Sequence, residues 1–62
     1  MEEKLLTLDD LADYLNISRR TTYRLLKGSD LPAYRIGGHL RFRREDIDLW
    51  IDKQRLDQKK TG

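Results

Sequence analysis

Residues 7–28 read TLDDLADYLNISRRTTYRLLKG, and the fold turns on how this stretch is parsed. Leu8, Leu11, Ala12 and Leu15 fall at i, i+3, i+4 and i+7, which is one apolar stripe of a short helix. Thr7 suits the N-cap, and Asp9 and Asp10 put anions in the first turn, where the helix dipole favours them. Asn16 tolerates the left-handed conformation that ends helices. The spacing predicts a first helix over Leu8–Leu15, with Ile17 plugging the corner after it. Ser18 is then a second N-cap. The stretch from Arg19 to Lys27 contains good helix formers, and Gly28 is expected at the C′ position that stops the helix. Thr22, Leu25 and Leu26 face one way. Arg19, Arg20, Tyr23, Arg24 and Lys27 line the other face.

Two short helices separated by Asn16-Ile17-Ser18 have helix-turn-helix spacing. Ala12 permits their close approach, and Leu15, Ile17 and Leu25 fill the wedge between them. The second helix, about residues 18–27, is then turned outward as a recognition helix. A helix fits the B-DNA major groove, where arginine pairs bidentately with guanine. Ser18, Thr21 and the free N–H groups at the start of that helix suit a backbone phosphate.

Downstream, Ser29-Asp30 and Pro32 break the chain. A period of two follows, with Tyr34 and Ile36 flanking Arg35, and Leu40 and Phe42 interleaved with Arg41 and Arg43. Two strands joined through Gly37-Gly38-His39 read as a β-hairpin, or wing, over about residues 33–43. A three-residue loop would pair Ile36 with Leu40 and Tyr34 with Phe42, giving one wholly apolar face, and is preferred here over a two-residue Gly37-Gly38 turn. In that register Arg35 and Arg41 oppose each other on the solvent face. Such a like-charge pair is unfavourable unless an anion lies across it. The glycines let the loop approach a sugar-phosphate wall, and His39 donates to it. A last helix is expected from Arg44, with Ile47, Trp50 and Ile51 as its stripe and Leu56 extending it. Residues 1–56 would make one domain and residues 57–62 a polar, fraying tail.

The chain has 62 residues, enough for one small domain that buries only ~60% of its unfolded surface. It has no cysteine, hence no disulfide and no thiolate metal site. Its apolar runs are far too short for a membrane span. With acids in the first ten residues and no apolar run after them, it does not read as a signal peptide. A cytoplasmic protein with no cofactor and no enzymatic activity is expected. The net charge is +2 but unevenly spread. Residues 1–16 carry Lys4 against Glu2, Glu3, Asp9, Asp10 and Asp13. Residues 17–44 carry Arg19, Arg20, Arg24, Lys27, Arg35, Arg41, Arg43 and Arg44 against Asp30 alone. So basic and arginine-rich a block points to a polyanionic partner, since arginine grips phosphate bidentately.

Blander roles compete at several positions. Trp50 and Phe42 sit on apolar stripes and read as core, not as base-stacking platforms. His39 has no companion ligands for a metal. Asp9, Asp10 and Asp13 are accounted for by capping and solvation. Ser18 has no histidine base near it in the motif. Lys27 also suits the helix end on dipole grounds. Tyr23 is left open between packing on its neighbours, phosphate and a thymine methyl.

The pieces LADYLNIS, TYRL, LPAYRIGGHLRF and RREDIDLWI, together with Leu6-Thr7 before them, resemble the excisionase-type, MerR-like helix-turn-helix family over residues 5–52. The resemblance implies a mainly α winged helix-turn-helix with a small β-hairpin. Arg19, Arg20, Tyr23 and Arg24 match its recognition helix, and Gly37–Arg41 its wing. It also implies transcriptional control or recombination directionality, and cooperative tandem self-association on DNA. The long dimerisation helix and effector domain of the larger MerR regulators are not in these 62 residues. Expected partners are double-stranded DNA and an integrase or further domains of a longer protein, with no membrane and no small-molecule ligand. The rival is a protein-interaction module, an antitoxin or adaptor, docking an acidic partner on the same basic face.

Overall fold

A computed structural model describes residues 4–56. The polar tail expected over 57–62 lies outside the described residues. In chain order the elements are helix α1 (Leu8–Leu15), helix α2 (Arg19–Gly28), strands β1 (Tyr34–Ile36) and β2 (His39–Arg41), and helix α3 (Arg44–Asp52). Three helices and an antiparallel hairpin make a small, mainly helical domain, consistent with a winged helix-turn-helix.

α1 begins in a capping box. The Thr7 hydroxyl accepts from the Asp10 N–H at 3.1 Å, and the Asp10 carboxylate accepts from the Thr7 N–H at 3.0 Å. These bonds to Thr7 hold the Asp10 carboxyl below its ordinary pKa. At the other end Asn16 is left-handed, with φ 59°, and Ile17 donates to the Ala12 carbonyl. Ser18 caps α2 by accepting from the Thr21 N–H at 3.1 Å. Thr22 is fully buried, and its hydroxyl donates to the Ser18 carbonyl, so a polar side chain is satisfied where the helices meet.

Gly28 departs from expectation. It is the last residue of α2, not the left-handed residue beyond it. Ser29 ends the helix instead. Its extended backbone N–H and its hydroxyl both reach the Leu25 carbonyl, so the orphan acceptor is met without a positive φ.

The hairpin register also differs. Tyr34 pairs with Arg41, Arg35 with Leu40 and Ile36 with His39. The loop is therefore the two-residue Gly37-Gly38 turn, with φ 59° and 84°, the geometry of a type I′ turn. The three-residue loop, the Ile36–Leu40 and Tyr34–Phe42 pairs and the opposed Arg35–Arg41 pair are all corrected. The physical reason lies at the other edge of β2. Leu6 and Phe42 exchange backbone hydrogen bonds at 2.8 and 2.9 Å, which ties the end of β2 to the chain ahead of α1. Phe42 is buried and Leu40 half-buried, whereas β1 is an outer strand with Ile36 and Tyr34 exposed. An apolar face on β1 has no core to meet, so the turn glycines decide the register.

Leu11, Leu31, Phe42, Ile47 and Trp50 form the core, with Ala12 buried beside them. Leu6, Leu8, Leu15, Leu25, Leu26 and Leu40 pack around it. Ile51 and Leu56, expected to continue the α3 stripe, are exposed. α3 ends at Asp52, short of Leu56, and within it only Ile47 and Trp50 are buried, Ile51 lying at the edge of that face. The start of α3 is tied down on two sides. The Tyr14 hydroxyl donates to Asp48, and the Tyr34 hydroxyl donates to Asp46 at 2.7 Å. Arg44 lies over the Tyr14 ring at 5.2 Å and Arg43 over the Tyr34 ring at 5.7 Å. Among the described residues no helix is long and apolar enough to cross a membrane.

Candidate nucleic-acid interface

An open cleft of about 800 Å³ runs between the start of α1, the exposed side of α2 and the hairpin. α2 contributes Arg19, Arg20 and Tyr23. The hairpin contributes Arg35, Gly38, His39, Leu40 and Arg41, and the start of α1 adds Thr7, Leu8 and Asp9. Residues far apart in the sequence thus meet along one surface with four guanidinium groups on it.

Each basic side chain has a definite setting. Arg19 opens α2, and its Nε lies 3.2 Å from an Asp9 carboxylate oxygen. Arg20 is exposed one residue later. Tyr23 is 47% exposed, and Lys27, one turn on, lies over its ring at 5.4 Å. The Lys27–Tyr23 contact favours the packing reading for one face of the ring and leaves the rest open to solvent. Arg35 faces the same side of the ribbon as Leu40. Arg41 occupies the other side, half-buried, and a guanidinium N–H donates to the Leu40 carbonyl at 2.7 Å. The two arginines therefore border the cleft without facing each other. Their separation removes the repulsion that the other register implied.

Not every sequence candidate lines the cleft. Ser18 and Thr21 are occupied with each other, the Ser18 hydroxyl donating to that of Thr21 at 2.9 Å. Arg24 and Lys27 lie further along the exposed face of α2, and Gly37 sits at the hairpin tip. Arg43 stacks on Tyr34 and lies 3.8 Å from Glu45, away from the cleft. Conversely, Thr7, Leu8, Asp9 and Leu40 line it without having been singled out as interface residues. Capping accounted for Thr7 and Asp9 so completely that their second position was hidden. The corner after α1 is what carries α2 back beside them.

The helix-turn-helix domain family matches this chain over residues 5–55, spanning both helices of the motif, the hairpin and α3. The chain belongs to that family. Its match is the excisionase-like group to which its motifs pointed. A helix-turn-helix domain of this kind points to DNA as its partner. The chain is also similar to YvgK of Bacillus subtilis (strain 168), described as an uncharacterized protein, with 36% identity over 52 residues. That alignment covers 84% of this chain and 17% of the relative, so the chain spans about a sixth of YvgK's length. No solved structure matches the chain. Within this helix-turn-helix domain, the exposed side of α2 and the hairpin are the two elements that bring arginines to the cleft.

Proposed function

We propose that this helix-turn-helix domain binds double-stranded DNA sequence-specifically, with α2 in the major groove and the hairpin against the backbone or the adjacent minor groove. The observation that carries the reading is the single surface on which Arg19, Arg20, Arg35 and Arg41 converge around the cleft. A ten-residue helix is about 15 Å long, and the major groove it would enter is about 12 Å wide. On this reading Arg20 and Arg24 read base edges, with Tyr23 beside them. Ser18, Arg19, Thr21 and Lys27 flank the phosphates of the same groove. Arg35, Gly37, Gly38, His39 and Arg41 follow the neighbouring backbone, and Arg43 reaches it only by leaving Tyr34.

The biological role is either transcriptional control or recombination directionality beside an integrase, within the cell and without enzymatic activity or cofactor. Repeated sites would be filled cooperatively by tandem copies. Altered transcript levels from a bound promoter mark the first role, and an altered ratio of excision to integration the second.

A salt titration on duplex DNA tests the binding itself. If about five phosphates are neutralised, log K falls against log[salt] with a slope of about −4 to −5. Amide shifts on adding DNA should fall within residues 18–27 and 35–43. A flat salt response with no shifts there refutes the reading and favours a module that docks an acidic protein.

A further inference from the structure

Among the described residues, Asp9 is the one acid that lines the cleft. It is not needed to close the cap of α1, because Asp10 makes both bonds of the capping box with Thr7. Its carboxylate turns instead to Arg19, ten residues on and in the next helix, at 3.2 Å. Both side chains are 70% exposed, so the pair stands open to solvent and to any competing anion.

The far partner has its own electrostatic problem. α2 begins Arg19-Arg20 and has no acid in its first turn. Two cations therefore stand at the end of a helix whose dipole already carries partial positive charge. An anion at that place relieves the conflict, and in the free protein the anion is the Asp9 carboxylate. On a duplex the natural anion is a phosphate. Both cannot hold the same edge of Arg19.

We propose that Asp9 is an internal competitor for the duplex: its carboxylate occupies Arg19 in the free protein, must be displaced by a backbone phosphate, and so lowers affinity for DNA of any sequence. This rests on the DNA-binding reading above. An exposed ion pair is weak enough to exchange on each encounter, so the effect is a graded lowering of affinity and not a block. Displacement leaves Asp9 unpaired beside the backbone, where it retains a cation. That retained cation subtracts from the counterions that binding releases.

The test compares Asp9→Asn with Asp13→Asn on a random-sequence duplex. The two variants change net charge equally, and Asp13 is exposed on the same helix without lining the cleft. Thermal melts confirm that both fold. Asp9→Asn should bind severalfold more tightly than wild type at low salt, and more tightly than Asp13→Asn. Its salt slope should be steeper by up to about 0.9, the release of the one cation that an unpaired Asp9 would otherwise retain. In an Arg19→Ala background the Asp9→Asn gain should fall to that of Asp13→Asn. Equal gains from the two single variants, a gain that survives without Arg19, or weaker binding by Asp9→Asn each overturn the inference while leaving DNA binding intact. Absence of duplex binding by the wild type overturns both.

Discussion

Replacing Gly38 by alanine tests the hairpin register, and through it the side of the ribbon on which each arginine stands. Gly37 and Gly38 have φ of 59° and 84°. A Cβ built on either would meet no atom within 4 Å, so the penalty at Gly38 is one of backbone conformation and not of collision. Holding an L-residue in the left-handed region costs about 1–2 kcal/mol. Stiffening the unfolded chain returns about 0.4–1 kcal/mol, leaving a net loss near 1 kcal/mol. For a domain of this size that lowers Tm by roughly 4–8 °C. Gly37→Asn should behave oppositely, because asparagine accepts the left-handed region and Asn-Gly is a favoured type I′ pair; Tm should hold or rise. His39→Gly should lower Tm, since His39 is a strand residue here. In a three-residue loop the left-handed position falls instead on His39. Gly38→Ala and His39→Gly would then both raise Tm, and that pair of results refutes the register. Thermal melts by circular dichroism suffice to measure it. A close Hα–Hα contact between Arg35 and Leu40, the non-hydrogen-bonded pair nearest the turn, provides an independent check by nuclear Overhauser effect.

Other outcomes follow from the same structure. Arg20→Ala should weaken binding to a selected site by about 1–3 kcal/mol and relax its sequence preference, whereas Arg35→Ala should weaken all duplexes alike and reduce the salt slope by about 1; competition binding separates the two. Thr7→Ala removes the α1 cap and should destabilise the domain by about 0.5–2 kcal/mol, read from denaturant melts. Stability should fall at both pH extremes. Asp10, lowered by its bonds to Thr7, contributes stability above its unfolded value near pH 4 that is lost as pH falls through the lower folded value. Tyr14 and Tyr34 are raised by donating to Asp48 and Asp46. Their contribution is complete below about pH 10 and is lost as pH rises beyond it. Tyr34→Phe should blunt the alkaline loss while keeping the ring under Arg43, and an unchanged alkaline limb in that variant argues against the Tyr34–Asp46 bond.

Local chemistry made the first half of the fold legible. The α1 boundaries follow from a four-residue apolar stripe between a threonine cap and an asparagine that enters the left-handed region. Each of these is decided within a turn or two of chain. The hairpin register is not local in that sense. Alternation shows which residues share a face, but not which face has a core to meet. That depends on Leu6 closing the far edge of β2, nearly forty residues before Phe42 in the sequence. With β1 left as the outer strand, the demand for an apolar face disappears and the two glycines are free to take the turn they favour. Gly28 shows the same limit at smaller scale. A glycine near a helix end is a common stop, but Ser29 met the Leu25 carbonyl first.

The interface followed the opposite pattern. Its cations were visible as a block of arginines, while Asp9, the one acid on it among the described residues, was hidden by an adequate local explanation. Asp9 and Asp10 are neighbours of the same type in the first turn of one helix, and dipole arguments treat them alike. Only the folded chain divides their labour, Asp10 turning back to Thr7 and Asp9 across to Arg19. The division matters because a surface built only from cations would hold any polyanion about equally well. On the proposed reading, an exchangeable carboxylate beside Arg19 would trim the contribution that carries no sequence information, and would leave Arg20 and Arg24 on the exposed helix face to supply what discriminates one site from another.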